Sequence, residues 1–181
     1  MELKHVLKDY QVETVEYMLQ NPYCIVALVM GLGKSATAIA TKMSIENSRC
    51  LVICPAYLVL NWKNEINKFA KNQVITVFKK HADVFFPVDS DFVICSYDIA
   101  VKSEILFEWA NMIVIDEAHA LKNMNSKRSK EIHRKVFENS IERLYLLTGT
   151  PIKNRVEEFY SLIALCNYNP RIKESAFLKK V

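Results

Sequence analysis

The segment of the chain best suited to chemistry on a phosphate is Met30-Gly31-Leu32-Gly33-Lys34-Ser35. Glycines let backbone N–H groups turn toward an anion, a lysine brings positive charge, and a serine hydroxyl can ligate magnesium. An apolar run at 24–29 precedes it and Ala36-Thr37-Ala38-Ile39-Ala40 follows, which predicts the strand, loop and helix that a phosphate-binding loop requires. The full pattern G-x-x-x-x-G-K-[ST] is not met, because its first glycine falls at Leu28. By itself the loop supports phosphate binding and nothing narrower. The chain has three glycines, Gly31, Gly33 and Gly149, and two of them share one tripeptide. That concentration points to backbone geometry that side chains would obstruct.

A second constellation follows the apolar run Met112-Ile113-Val114-Ile115, which ends in Asp116-Glu117-Ala118-His119. A carboxylate at the carboxyl end of a buried parallel strand is where a phosphate-loop protein holds its magnesium, so Asp116 is expected to reach the metal. Glu117 is then placed to orient or deprotonate an attacking water. Without a phosphate loop upstream, the same pair would read as a solvated helix cap. The third constellation is Leu146-Leu147-Thr148-Gly149-Thr150-Pro151, again at a strand end. Together with His119, residues Thr148, Gly149 and Thr150 are expected to couple nucleotide state to what lies beyond the sheet. A plain Gly-Pro turn is the alternative there.

These residues need a scaffold that brings three strand ends together. Short apolar runs at 24–29, 50–54, 74–78, 92–95, 112–115 and 143–147 predict six strands, mostly apolar throughout, as in strands covered on both faces. Between them, Leu58, Val59, Trp62, Ile66 and Phe69 recur at helical spacing, as do Val156, Phe159, Tyr160 and Ile163. An opening helix is predicted over 9–19, with Asp9 as its cap and Asn21-Pro22 as its end. The alternation of strands and helices gives an α/β fold.

Composition sets outer bounds. The 181 residues, 51% hydrophobic and 24% charged, suit one well-buried core. No apolar stretch approaches the roughly 20 residues that span a bilayer, and the first residues lack a signal core, so an intracellular, membrane-free protein is expected. Five cysteines without paired spacing suit neither a disulfide framework nor a zinc site, and four lie in apolar runs as small hydrophobes. A net charge of +4 favours a polyanion only weakly. The basic stretch 122–135 reads equally as a solvated helix face or a nucleic-acid contact.

Several short strings occur in a fixed order: Leu7-Lys8-Asp9-Tyr10-Gln11, the loop at 30–35, Pro55 with Asn61-Trp62, and Ser96-Tyr97-Asp98. Ile115 to His119 with Lys122-Asn123, then Leu147 to Pro151 with Asn154, complete the set. It resembles the first RecA-like lobe of Swi/Snf-type DNA translocases in helicase superfamily two, over nearly the whole chain. The resemblance implies a central, mostly parallel sheet with helices on both faces, and ATP with Mg2+ as cofactors. It implies that Gln11 reads the adenine edge. It also implies that Pro55, Asn61 and Trp62, then Ser96 and Tyr97, meet one strand of a duplex or branched DNA. For Trp62, core packing is the stronger reading on spacing. The string Glu157-Glu158-Phe159-Tyr160-Ser161-Leu162-Ile163 looks most like the annealing-helicase branch.

Two departures from the family are visible. Leu28-Val29 stand where many members have an acidic pair, and Ser35 replaces the commoner threonine while keeping its hydroxyl. Such motors need a second RecA-like lobe with arginine fingers, which these 181 residues do not include. The chain is therefore expected to act as a monomeric lobe that binds nucleotide and hydrolyses it poorly. An RNA helicase lobe and a non-motor nucleotide-binding scaffold are the alternatives.

Overall fold

A computed structural model describes residues 7–149 and 157–166, with side chains of the second segment described from Ser161 onward. The six strands are β1 (Tyr23–Ala27), β2 (Cys50–Cys54), β3 (Ile75–Phe78), β4 (Phe92–Ser96), β5 (Met112–Ile115) and β6 (Arg143–Thr148). They form one sheet in the order β1-β6-β5-β2-β4-β3, and each neighbouring pair is parallel. Parallel pairing demands crossovers that return each strand to the same starting edge. The helices are α1 (Asp9–Gln20), α2 (Lys34–Met43), α3 (Val59–Phe69), α4 (Tyr97–Lys102), α5 (Ile105–Trp109), α6 (Lys127–Glu138) and α7 (Glu157–Cys166).

Successive side chains of a strand point to opposite faces, and the core divides accordingly into two layers. Leu51, Ile53, Ile113, Ile115, Leu144 and Leu146 pack with residues of α4 to α7, such as Phe107, Ile132 and Leu165. Cys50, Val52, Cys54, Val114 and Leu147 pack on the other face with Met18 of α1, Ile39 of α2 and Trp62 of α3. The expected α/β sandwich, with helices on both sides, is thus present. Each fully buried aliphatic side chain contributes about 1.5–3 kcal/mol of transfer free energy to it.

Two predicted strands, 50–54 and 112–115, match to the residue. The first strand stops at Ala27, because Leu28 and Val29 leave the sheet to enter the glycine loop. Its burial alternates and that of β3 is incomplete, since both lie at sheet edges. The expected Asp9 cap is replaced by Lys8, whose N–H donates to Gln11 Oε1 at 2.9 Å. The Gln11 N–H donates back to the Lys8 carbonyl at 2.8 Å, so a side chain three residues on performs the capping. Asp9 sits in the first turn, where its charge suits the helix dipole. In α7 the buried face is Ser161, Leu162 and Leu165, with Ile163 half-buried; the predicted Val156, Phe159 and Tyr160 contacts lie outside the described residues.

Candidate nucleotide site

The loop between β1 and α2 is built by its two glycines. Gly31 and Gly33 have φ of +85° and +79°, a conformation that costs an L side chain about 1–2 kcal/mol. Gly33 caps α2, and its carbonyl accepts the Thr37 N–H at 3.0 Å. The first turn of α2 has no acidic residue, so its positive dipole end and unpaired N–H groups face the loop. The Lys34 ammonium donates to the Leu28 carbonyl at 3.1 Å. Gly149, just past β6, comes so close that a Cβ would lie 3.1 Å from Met30 Cγ and 3.4 Å from Lys34 Nζ. All three glycines of the chain therefore gather around one lysine and one loop.

Gln11, only 8% exposed, reaches across from α1 and donates through Nε2 to the Leu32 carbonyl at 3.0 Å. Tyr10 Oη donates to the same carbonyl at 3.2 Å. A Cβ at Gly33 would overlap Gln11 Nε2, which is a second reason for glycine there. Met30 stays exposed and Leu32 partly so.

Asp116 follows β5, and its N–H donates to the Ile53 carbonyl at 2.8 Å, continuing the register of β5 against β2. Asp116 is 6% exposed. Oδ1 accepts the Glu117 N–H at 2.9 Å and Oδ2 accepts the Trp62 indole N–H at 2.8 Å. Burial raises the Asp116 carboxyl above its ordinary range, while the two hydrogen bonds and the Lys34 charge oppose that shift. Glu117 occupies the left-handed region, φ +50° and ψ +49°, before the 3₁₀ turn Ala118–Leu121. Its Oε2 lies 3.2 Å from Nδ1 of the half-exposed His119.

Among the described residues, the loop, the Lys34 ammonium, the Ser35 hydroxyl and the Asp116 carboxylate form a set suited to a triphosphate and magnesium. The open backbone cradle and hard oxygen donors are what those groups require. Thr148 is fully buried at the end of β6, and Gly149 meets Met30 and Lys34 as described. Thr150 lies outside the described residues.

The residues expected to meet DNA divide into two kinds. Asn61 is exposed on α3, and Pro55 is half-buried after β2. Ser96 is half-buried and caps α4, its Oγ accepting the Ile99 N–H at 3.4 Å. Trp62 and Tyr97 are 1% and 4% exposed, so neither ring offers a face on which a base could stack. The basic stretch 122–135 is similarly divided. Lys127 and Lys130 are exposed, but Lys135 is 1% exposed and donates to the carbonyls of Ala100 and Val101 at 3.1 and 2.8 Å. Arg134 joins Glu104, Glu131 and Glu138, and Arg128 lies 5.2 Å from the Tyr97 ring centroid. Sequence reasoning did not anticipate the buried Lys135, whose place three residues after the core residue Ile132 was the available signal.

A parallel sheet with a glycine loop after one strand and an acidic pair after another is the arrangement of a RecA-like P-loop nucleotide-binding lobe. The SNF2-related domain matches residues 10–181, and the chain belongs to that family. It is 31% identical to mouse chromodomain-helicase-DNA-binding protein 1-like over 88% of this chain and 19% of that protein. Human chromodomain-helicase-DNA-binding protein 8 is 32% identical over 97% of this chain and 8% of its own length. Chicken DNA repair and recombination protein RAD54B is 33% identical over 79% and 17%. Among solved structures, the Sulfolobus solfataricus SWI2/SNF2 ATPase core in complex with dsDNA superposes with a TM-score of 0.80 at 31% identity. That match covers 96% of this chain and 38% of the ATPase core. The chain thus spans less than a fifth of the length of these curated relatives.

Proposed function

We propose that the chain is the nucleotide-binding lobe of an ATP-dependent, DNA-stimulated motor that translocates along or remodels duplex DNA. The observation that carries this reading is the convergence of Gln11, Lys34 and all three glycines on one loop. It stands in a fold that superposes on a DNA-bound SWI2/SNF2 ATPase core. Magnesium, when bound, would neutralise charge on the terminal phosphates and polarise them toward attack. The residues suited to hold it are Ser35 and Asp116.

The remaining steps belong to side chains and backbone of this chain. Loop N–H groups from Met30 to Ser35 and the α2 terminus surround the phosphates, and Lys34 exchanges the Leu28 carbonyl for phosphate oxygen. Gln11 trades the Leu32 carbonyl for the adenine edge, its amide offering both N–H donors and an oxygen acceptor. Glu117 takes the proton of the attacking water, and its contact with His119 links it to the turn that follows. Thr148, Gly149 and Thr150 relay the phosphate state outward from the end of β6. Pro55 and Ser96 lie at or just after the carboxyl ends of β2 and β4, and Asn61 in the first turn of α3, on segments suited to tracking one DNA strand. A second RecA-like lobe completes the site with an arginine that stabilises the transferring phosphoryl group, worth roughly 10³–10⁵ in rate. This chain alone therefore binds ATP and turns it over poorly, as a monomer, in the intracellular setting where ATP and duplex DNA coexist.

The test is a titration of labelled ATP, with and without Mg2+, into the wild-type chain and Lys34→Ala. Loss of Mg2+-dependent binding in the variant is expected, and equal binding by both proteins would favour a scaffold that has no catalytic use for the loop. ATPase assays with duplex DNA, single strands and RNA then identify the nucleic acid. Stimulation by RNA alone would replace the DNA reading with an RNA helicase.

A further inference from the structure

Two buried side chains tie the segments after β2 and β4 to the carboxylate pair. Trp62 on α3 donates its indole N–H to Asp116 Oδ2 at 2.8 Å, a contact between residues 54 positions apart. Tyr97, at the start of α4, donates its hydroxyl to the Asp116 carbonyl at 2.8 Å and lies 3.3 Å from the Glu117 carbonyl. A phenylalanine in either place would fill most of the same volume, so packing does not account for the polar atoms. Buried donors are as a rule paired, and both of these are paired with Asp116, Trp62 with its carboxylate and Tyr97 with its carbonyl.

The consequences at the two carboxylates differ. Asp116 Oδ1 is fixed by the Glu117 N–H, so the indole at Oδ2 is what fixes the second oxygen and hence the plane of the group. Lone pairs that remain on each oxygen are then aimed in a set direction. Glu117 holds a left-handed backbone, which a side chain such as glutamate rarely adopts. The Tyr97 hydroxyl sits against the carbonyls on both sides of that residue, and Arg128 of α6 covers the Tyr97 ring. In the sequence, Asn61 adjoins Trp62 and Ser96 adjoins Tyr97. Two of the three residues suited to meet a DNA strand, Asn61 and Ser96, are therefore next to one that holds the Asp116–Glu117 segment.

We propose that Trp62 and Tyr97 are positioning residues that transmit the placement of α3 and α4 to the catalytic carboxylates. Trp62 sets the plane of the Asp116 carboxylate, and Tyr97 holds the strained backbone that aims the Glu117 side chain. The inference rests on the nucleotide-site reading above, and its test separates the two.

Trp62→Phe and Tyr97→Phe are compared with the wild-type chain by labelled-ATP titration without metal, by Mg2+ half-saturation at fixed ATP with and without duplex DNA, and by thermal melting. Both variants keep the metal-free ATP affinity. Trp62→Phe raises the Mg2+ half-saturation by about tenfold, the cost of one hydrogen bond to a charged group. Duplex DNA shifts that half-saturation in the wild type and leaves it unmoved in Trp62→Phe. Tyr97→Phe keeps the Mg2+ dependence but lowers the single-turnover hydrolysis rate, a split that general loosening of the fold would not produce. Should Trp62→Phe melt early, the benzothiophene isostere of tryptophan keeps the shape and removes only the N–H. Wild-type Mg2+ dependence in that isostere or in a folded Trp62→Phe overturns the role of Trp62, and an unchanged rate in Tyr97→Phe overturns that of Tyr97. A wild-type chain with no Mg2+-dependent ATP binding defeats the nucleotide-site reading itself, and this inference with it.

Discussion

Gln11 Nε2 donates to the Leu32 carbonyl at 3.0 Å, so the residue suited to read the base is bound to the loop suited to hold the phosphates. Gly33 makes that contact fit, because a Cβ there would overlap Gln11 Nε2, whereas a Cβ at Gly31 meets nothing within 4 Å. Both glycines have positive φ, so alanine at either costs about 1–2 kcal/mol in backbone strain. Gly33→Ala should cost clearly more than Gly31→Ala in urea unfolding. Adding Gln11→Ala to Gly33→Ala should recover the excess, giving a coupling that Gln11→Ala with Gly31→Ala lacks. Additive losses in both double variants would show that the amide does not abut position 33.

Strand positions were legible in the sequence where both faces of the sheet are covered. In β2 and β5 the apolar run and the strand coincide, since every residue of each is buried and the runs are bounded by Arg49 and Pro55 and by Asn111 and Asp116. The site was legible for the same reason, because its groups sit where those runs end. Trp62 showed its packing through helical spacing, but its partner Asp116 lies just past β5, 54 residues away, and no local pattern points there. Glu117 carries no mark of its left-handed backbone, since that conformation is imposed by neighbours rather than by its own side chain. Lys135 was hidden by the charges around it, and only the phase of α6 relative to Ile132 and Val136 shows it turning inward.

His133 on α6 predicts a pH dependence of stability. Its Nε2 lies 3.4 Å from Ser161 Oγ on α7, and the Ser161 hydroxyl proton is committed to the Leu121 carbonyl at 2.5 Å. The imidazole must then be the donor, which requires a proton on Nε2 in the neutral ring. Burial pushes the His133 pKa down to about 4 from 6.5. Between those values the unfolded chain binds the extra proton and the folded chain does not. Stability from this group is therefore complete above pH 6.5, falls as the pH drops toward 4, and levels off below, a span of about 3 kcal/mol. Chemical denaturation across that window should show a shallower slope for His133→Gln, with parallel curves above pH 7; identical slopes would place the imidazole in water.

The thiols predict a kinetic result. Cys24, Cys50, Cys54 and Cys95 are buried and Cys166 is half-buried. Burial pushes Cys24 up to about 11 and Cys50, Cys54 and Cys166 to about 12, and it raises Cys95 as well. Thiolate is the reactive form, so the native protein at pH 8 should resist a disulfide reagent. Cys166 should react first, and the other four at a common rate set by opening of the sheet. Fast labelling of any strand cysteine in the native protein would contradict the burial of both sheet faces.

Lys135 and Arg134 are adjacent cations with opposite expected effects. Arg134 is partly exposed and bridges Glu104, Glu131 and Glu138 at the surface, where solvent screens such pairs. Lys135 Nζ closes the carboxyl end of α4 through the Ala100 and Val101 carbonyls, with Glu104 Oε1 3.3 Å away and the Phe107 ring centroid 5.6 Å away. Lys135→Met keeps most of the buried stem but strips two carbonyls of their donor, at a cost of about 2 kcal/mol. Arg134→Ala should leave the unfolding midpoint nearly unchanged. Because α4 also carries Tyr97, Lys135→Met should loosen the hydroxyl contact with Asp116, visible as faster hydrogen exchange at the Asp116 and Glu117 amides. Arg134→Ala should leave that exchange as it is, and a reversed ranking of the two variants would refute the assignment of Lys135 as the anchor of α4.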